Sequence, residues 1–245
     1  AMLGCFGGEL EPTSWSAPEL LVEGSSFHGI HGLTFDADDR LFAGSVVGQA
    51  IYRVDPQTGE VDTVEAPPLG MADDLEHAAD GTLVWTSFLL GKAHSRSPGG
   101  EIEELASGLA GANSLAFRDD GRLFMTQVFA GDALWELDRE GGEPRLVAEA
   151  MGGLNGFDFG PDGFLYGPLW FKGEVVRVDV DSGVIETVAR GFQIPAAANF
   201  DSRGRLWVVD TKAGQVVRVD VTTGEKTLVA EVATSIDNLA IDSSD

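Results

Sequence analysis

The fold is decided by a stretch that reads His31-Gly32-Leu33-Thr34-Phe35, then Asp36-Ala37-Asp38-Asp39, then Arg40-Leu41-Phe42-Ala43-Gly44-Ser45. Apolar residues alternate with small or polar ones in the first and third segments, as expected of half-buried β-strands, and the acidic segment between them has the composition of a turn. Residues 50–55 and 60–64 repeat the strand-like pattern further along. This region therefore predicts four consecutive strands joined by short turns.

The same unit recurs six times in 245 residues. An equivalent position at the start of each first strand is separated from the next by 42, 40, 42, 41 and 41 residues and is occupied by His31, Asp73, Asn113, Asn155, Ala196 and Asp237. A repeat of this length made of short strands is typical of a β-propeller, in which each unit forms one four-stranded blade. We therefore predict an all-β, six-bladed propeller, with five complete blades and a partial sixth.

The two ends of the chain leave the sixth blade incomplete. The last repeat stops at Asp245, soon after its first strand, and residues 19–23 are placed to supply its outer strand. Two middle strands would still be lacking, unless residues 8–16 contribute something irregular. The alternative is that this sequence is a fragment of a longer propeller. We predict a flexible leader over residues 1–17 and a single propeller domain over residues 18–245.

Composition excludes several partners. With 40 acidic and 16 basic residues the formal charge is −24, which repels nucleic acid and anionic membranes. No run of about 18 apolar residues is present, so no membrane-spanning helix is expected.

The single cysteine, Cys5, cannot form an internal disulfide, and Met2-Leu3-Gly4-Cys5 loosely resembles the end of a bacterial lipoprotein signal. The location is left open between the bacterial cytoplasm and, if Cys5 carries a lipid, the periplasm or cell envelope.

Two further sets of repeated residues are assigned to the scaffold. Acidic residues three to four positions before a glycine suit tight turns, where the carboxylate accepts backbone N–H groups. They are Asp55, Asp138, Asp179 and Asp220. Aromatic residues at one position of the second strand are expected to pack between blades. They are Phe42, Trp85, Phe124, Tyr166 and Trp207.

The first strand of each propeller blade lines the central channel, so the six equivalent residues are expected to meet around one axis. Carboxylate and amide oxygens are the ligands that hard divalent cations prefer. Such oxygens are offered by Asp73, Asn113, Asn155 and Asp237. The alternative is that these side chains cap their own strands through local hydrogen bonds. Four such residues in one ring favour a metal site.

Two segments resemble a known family. Residues 111–124, beginning Gly111-Ala112-Asn113-Ser114-Leu115, and residues 154–163, beginning Leu154-Asn155-Gly156-Phe157, are similar to inner strands of the gluconolactonase / senescence marker protein family. Paraoxonases and diisopropyl fluorophosphatase are its wider six-bladed relatives. This resemblance implies a calcium ion in the channel, held by Asn113, Asn155 and acidic residues of other blades. It also implies hydrolysis, in which the ion polarises the carbonyl or phosphoryl oxygen.

Departures from the family pattern are found in two blades. The resemblance would place Glu at His31 and Asp at Ala196, so the acidic ligand moves to Asp237 and Asp73 replaces the missing Glu. We predict a calcium-dependent hydrolase of lactones or related esters, although another divalent cation is possible. Its catalytic residues are His31, as general base or extra ligand, and Asp237, which also contacts the metal.

The remaining histidines are assigned no catalytic role. His28 and His31 are three apart, so on one strand they would point to opposite faces. His77 and His94 are expected at the surface. The loops near residues 88–94, 128–132, 170–173 and 191–195 are expected to choose the substrate, whose identity the sequence leaves open.

Two other functions stay open. One is a non-catalytic propeller that binds a peptide or protein. The other is a lyase resembling streptogramin lyase, whose blades also contain Gly-Pro-Asp-Gly, as in Gly160-Pro161-Asp162-Gly163. The chain has no pair of histidines late in its sequence that would suit that lyase. The oligomeric state is not predicted.

Overall fold

The computed structural model describes residues 15–22 and 27–244, which form an all-β propeller of five four-stranded antiparallel blades. The first two blades contain β1 (Gly32–Phe35), β2 (Leu41–Ser45), β3 (Ala50–Val54), β4 (Val61–Glu65), β5 (Leu75–His77), β6 (Leu83–Ser87), β7 (Lys92–Arg96) and β8 (Ile102–Ala106). The third and fourth contain β9 (Ala112–Phe117), β10 (Leu123–Gln127), β11 (Ala133–Leu137), β12 (Arg145–Glu149), β13 (Asp158–Phe159), β14 (Leu165–Leu169), β15 (Glu174–Asp179) and β16 (Val184–Arg190). The fifth contains β17 (Pro195–Phe200), β18 (Leu206–Asp210), β19 (Gln215–Val219) and β20 (Lys226–Glu231).

The prediction of a sixth blade holds only in part. Residues 232–244 form no strand, and neither do residues 19–22, which were expected to supply an outer strand. The C-terminal segment instead lies against the first two blades. The backbone N–H of Ser243 donates to Asp39 at 2.9 Å, and the Nδ2 of Asn238 donates to Asp74 at 3.1 Å. A strand needs a neighbour to satisfy its backbone groups, and none is paired with this segment.

Residues 15–22 contact both the fifth blade and the first. The ring of Trp15 contacts that of Trp207 edge to face, with centroids 5.0 Å apart, and the Leu21 carbonyl lies against Gly59. Trp15 falls within the predicted leader, and residues 1–14, with Cys5, lie outside the described residues. The boundary between leader and domain therefore stays a prediction.

The repeated aromatic residues are confirmed as core. Trp85 and Phe124 are completely buried, and Tyr166, Phe42 and Trp207 are nearly so. Phe124 packs in one cluster with residues of the next blade, including Leu165 and Val176. Because each second strand contributes one large ring between sheets, the repeat itself generates the interblade core.

The turn residues are also confirmed. Asp55 accepts the backbone N–H groups of Gln57 and Thr58 at 2.8 and 2.9 Å. The same arrangement occurs at Asp179 and Asp220, and Asp138 accepts the backbone N–H of Glu140. The one helical element of the described part is a single 3₁₀ turn at Phe88–Leu90, and no helix in residues 15–22 and 27–244 is long and apolar enough to cross a membrane.

Candidate active site

The six residues at equivalent positions all line one cavity of about 410 Å³ at one end of the central channel. We call this set the upper ring: His31, Asp73, Asn113, Asn155, Ala196 and Asp237. They come from six repeats and span more than 200 residues of sequence. The propeller brings them together because five of them lie at or just before an inner strand, and Asp237 lies in the C-terminal segment that packs against the first two blades.

Neighbouring inner strands approach one another very closely at this level. Gly156 pairs with Ala197 of the fifth blade in a parallel bridge, and its carbonyl accepts the N–H of Ala198 at 2.9 Å. A Cβ on Gly156 would lie 2.7 Å from the Cβ of Ala197. Only glycine therefore allows this approach, which sets the position of the adjacent Asn155.

The two asparagines present their amide oxygens to one atom. The hydroxyl of Ser114, which is buried, lies 3.0 Å from Oδ1 of Asn113 and 3.2 Å from Oδ1 of Asn155. A hydroxyl has one proton, so Ser114 donates to only one of these oxygens at full strength. The Nδ2 of Asn113 donates to Oδ2 of Asp73 at 2.5 Å. Two amide oxygens and a carboxylate thus lie within one hydrogen-bonded group.

Both carboxylates of the upper ring are destabilised as anions. Burial raises the pKa of Asp73 well above its usual value, and the charges of Asp237 and Asp74 raise it further, while the hydrogen bond from Asn113 opposes them. Burial also raises the pKa of Asp237, and His31 acts in the opposite direction. No lysine or arginine is among the described residues that line the cavity. A bound cation would offset this unfavourable charge.

His31 is held by the backbone of the first blade. The N–H of Val46 donates to its Nδ1 at 3.4 Å, so the neutral ring carries its proton on Nε2. His31 and His28 both precede β1, which begins at Gly32, so the expected alternation of strand faces does not apply to them. His28 is exposed and has a φ of 57°, outside the cavity.

The expectation that His77 and His94 lie at the surface is wrong. His94 is buried, stacked on Trp85 with ring centroids 5.3 Å apart and 3.3 Å from the hydroxyl of Ser87. His77 packs edge to face on Phe42 at 4.6 Å. Burial lowers the pKa of both imidazoles. Neither residue lines the upper cavity, so neither belongs to the site.

A second ring, which the sequence analysis missed, lies deeper in the channel. Its members line a cavity of about 150 Å³, and each is three residues after an upper-ring position. We call Thr34, Glu76, Asp158, Asn199 and Ala240 the lower ring. The same repeat spacing, advanced by three residues, would have found them. Asp74, which directly follows the upper-ring residue Asp73, also lines this cavity.

The deeper carboxylates tie the inner strands of adjacent blades together. Glu76 accepts the N–H of Phe117 at 3.1 Å, and Asp158 accepts that of Phe200 at 2.8 Å. Asp74 accepts the N–H of Leu115 at 3.1 Å. Burial raises the pKa of Asp74 to about 7, that of Asp158 to about 6, and that of Glu76 well above its usual value. These acids hold the channel wall, and burial favours their protonated forms.

The donor set fits a hard cation better than a soft one. Among the described residues, no group of three His, Cys, Asp or Glu side chains is arranged to hold a metal by itself. The upper ring supplies two carboxylates and two amides instead, and oxygen donors of this kind suit calcium. Ala196 contributes no donor, which leaves one side of the ring without a ligand.

Three of the four loops expected to choose the substrate reach the cavity. Phe88 and Leu89, Phe129, and Trp170 belong to these three loops and line it. Residues 191–195 are not among its lining residues. The cavity is therefore polar where the upper ring lies and apolar along the loops.

Comparison with known proteins supports the fold. No protein-family model and no curated protein matches the sequence. A gluconolactonase from Xanthomonas campestris is 18% identical with a TM-score of 0.71, covering 85% of this chain and 78% of its own. Streptogramin B lyase is 20% identical with a TM-score of 0.69, covering 84% and 70%. The chain is a β-propeller.

A third solved structure belongs to a different class of protein. It is a nidogen/laminin complex, 20% identical with a TM-score of 0.76, covering 86% of this chain and 84% of the matched chain. At these identities the similarities show the architecture alone. They are compatible with a hydrolase, a lyase or a binding protein, so function depends on the site.

Proposed function

We propose that this propeller is a calcium-dependent hydrolase of lactones or related esters. The proposal is carried by the convergence of two carboxylates, two amides and an imidazole on one cavity of about 410 Å³. A volume of this size suits a small-molecule substrate. The local resemblance of the Asn113 and Asn155 segments to gluconolactonase inner strands supports the same reaction class, as does the gluconolactonase among the structural neighbours.

Asp73, Asn113, Asn155 and Asp237 are proposed to hold the cation. When bound, calcium would supply positive charge that polarises the carbonyl group and stabilises the oxyanion formed on attack. Ser114 would orient the ligands, because its hydroxyl already contacts the amide oxygens of both asparagines. Buried acids with raised pKa values are costly without such a counter-charge.

Asp237 is the proposed general base, and His31 is proposed to donate a hydrogen bond. A neutral His31 that accepts a hydrogen bond from the Val46 N–H at Nδ1 carries its proton on Nε2 and has no free lone pair there, so it is better suited to donate to a substrate oxygen than to remove a proton from water. Asp237 has two carboxylate oxygens, so one can contact the cation and the other can accept the proton of a water molecule.

The test is hydrolysis by the purified full chain on a panel of lactones and aryl esters, with calcium and then with excess chelator. We expect activity to disappear in chelator and to return on adding calcium. Asp237→Asn is expected to lower kcat by about 100-fold or more, since general base catalysis contributes about 10² to 10⁴. The matched control is Asp242→Asn, which changes an exposed acid of the same segment.

Full activity in chelator would refute the metal, and an Asp237→Asn variant as active as the parent would refute the base. Wild-type activity in the Asp242→Asn control is required before either result is interpreted.

A second candidate, a non-catalytic propeller that binds a protein partner, is favoured by one observation. Ala196 occupies an upper-ring position without a donor group, so the ring is less complete than a dedicated catalytic site would need. The nidogen/laminin structure shares the same architecture. This candidate predicts that calcium raises the melting temperature while no compound of the panel is hydrolysed.

A further inference from the structure

The mouth of the upper cavity is formed by loops that join the second and third strands of the blades. In the first four blades these loops carry apolar side chains, and those that line the cavity are Val46, Val47, Phe88, Leu89, Phe129 and Trp170. Val47, Leu89 and Phe129 are 70%, 66% and 54% exposed. Large apolar side chains exposed together, rather than singly, mark a binding surface. We call this set the apolar mouth.

Phe129 is the centre of the apolar mouth. Its ring centroid lies 6.2 Å from that of Phe88, 5.4 Å from that of Trp170 and 5.7 Å from that of Phe171, all in edge-to-face geometry. One ring thus joins the loops of the second, third and fourth blades. The result is a continuous aromatic wall on one side of the cavity.

The backbone holds Phe129 outward at a cost. Its φ is 64°, in the left-handed region, which costs a bulky residue about 1 kcal/mol. A three-residue turn encloses it, with the N–H of Ala130 donating to the carbonyl of Val128 at 2.8 Å. Gly111 permits this turn, because a Cβ there would collide with the Val128 carbonyl oxygen. An exposed Phe kept in a strained conformation is more consistent with ligand contact than with scaffold packing.

The cavity offers no basic side chain to an anionic ligand. The residues that line it include Asp73 and Asp237 and no lysine or arginine. Lys172 lies on the fourth loop, but its Nζ donates to the carbonyl of Met151. The fifth loop, residues 211–214, contributes no lining residue. A ligand therefore meets aromatic rings on one side and polar oxygens at the base.

We propose that the apolar mouth binds the alkyl or aryl group of an uncharged lactone or ester, whose carbonyl reaches the upper ring. This rests on the proposed function and specifies its substrate class: hydrophobic lactones rather than polyhydroxylated sugar lactones. A sugar lactone would leave its hydroxyl groups against Phe129 and Phe88 without hydrogen-bond partners. An alkyl chain would instead cover apolar surface that is now exposed to water.

The test is kcat/KM for γ-lactones that carry linear alkyl chains of one to six carbons, with glucono-δ-lactone for comparison. Full burial of a methylene group raises affinity about fourfold. A wall that covers only one side of the chain is expected to contribute about half of that free energy. We therefore expect kcat/KM to rise about twofold per added carbon. Phe129→Asn removes the ring and suits the left-handed backbone. It is expected to flatten the dependence on chain length.

Two further variants make the result specific. Leu89→Asn, at the mouth, is expected to reduce the chain-length dependence as well, which keeps the test valid if Phe129→Asn does not fold. Leu228→Asn is the control, because Leu228 is 52% exposed on β20 and does not line the cavity. It is expected to retain the twofold increase per carbon.

Binding of γ-lactams with the same chains, measured by calorimetry, separates this inference from the proposed function. Lactams that bind more tightly as the chain grows, without hydrolysis of any lactone, would keep the apolar mouth and remove the hydrolase. Hydrolysis that is independent of chain length, or fastest on glucono-δ-lactone, would keep the hydrolase and overturn the apolar mouth. Neither hydrolysis nor chain-dependent binding would overturn both.

Discussion

Asp158 provides a quantitative test of the channel's buried charge. Its carboxylate accepts the N–H of Phe159 at 2.7 Å and that of Phe200 at 2.8 Å, so it joins the inner strands of the fourth and fifth blades. Burial is the main cause that raises its pKa from 3.8 to about 6, against the lowering effect of these two hydrogen bonds. The folded state therefore favours the protonated form of Asp158.

The sign of the pH dependence follows from this shift. The stabilising contribution is fully present below the unfolded pKa of 3.8 and is lost as the pH rises through about 6. A shift of this size is worth about 3 kcal/mol over the whole titration, and about 1 kcal/mol of it is lost between pH 5 and pH 8. Asp158→Asn replaces the titrating carboxyl group by a neutral amide. The loss of the Asp158 charge also lowers the pKa of the neighbouring Glu76.

The assay is urea unfolding of the parent and of Asp158→Asn at pH 5 and pH 8. Between these pH values the variant is expected to lose about 1 kcal/mol less stability than the parent. At pH 5 the variant is expected to be less stable by about 1 to 3 kcal/mol, since the amide can accept only one of the two N–H groups. The control is Asp38→Asn, which removes a carboxylate whose side chain is 74% exposed.

An equal loss of stability in parent and variant between pH 5 and pH 8 would refute the reasoning, because it would mean that Asp158 is already ionised at pH 5. A parent that becomes more stable as the pH rises, relative to the variant, would reverse the sign and refute it as well.

The remaining predictions concern the metal and the loops. Asn155→Ala is expected to weaken calcium binding by about tenfold or more, because an amide contact to a charge is worth about 1.5 to 3 kcal/mol. Calorimetry measures the affinity. The control is Asn199→Ala in the lower ring, which is expected to leave calcium affinity unchanged. Gly111→Ala is expected to lower the urea midpoint more than Gly121→Ala: both have positive φ, but only the first would collide with Val128. Calcium is expected to raise the melting temperature more at pH 8 than at pH 5, because the upper-ring carboxylates have raised pKa values and must ionise to bind it.

Several features were predictable because they are written locally and repeated. Alternation at residues 31–45 predicts two strands, and the structure has β1 and β2 there, at Gly32–Phe35 and Leu41–Ser45. Asp55 caps its turn through neighbours two and three residues away. The spacing of 40 to 42 residues predicts that equivalent positions share one depth in the channel, as they do for Asn113 and Asn155.

The sequence by itself determined the blade, its turns, its buried aromatic position and the upper ring, since each depends on contacts within one repeat or on the repeat spacing. Tertiary structure alone decided which acids are buried beside one another, that Nδ1 of His31 is occupied, and that Phe88, Phe129 and Trp170 form one wall. Burial raises the pKa of Asp74, and hydrogen bonds from Leu115 and Asn238, which lie 41 and 164 residues away, oppose that rise. Desolvation and ring contact are properties of neighbours in space, and no local pattern specifies them.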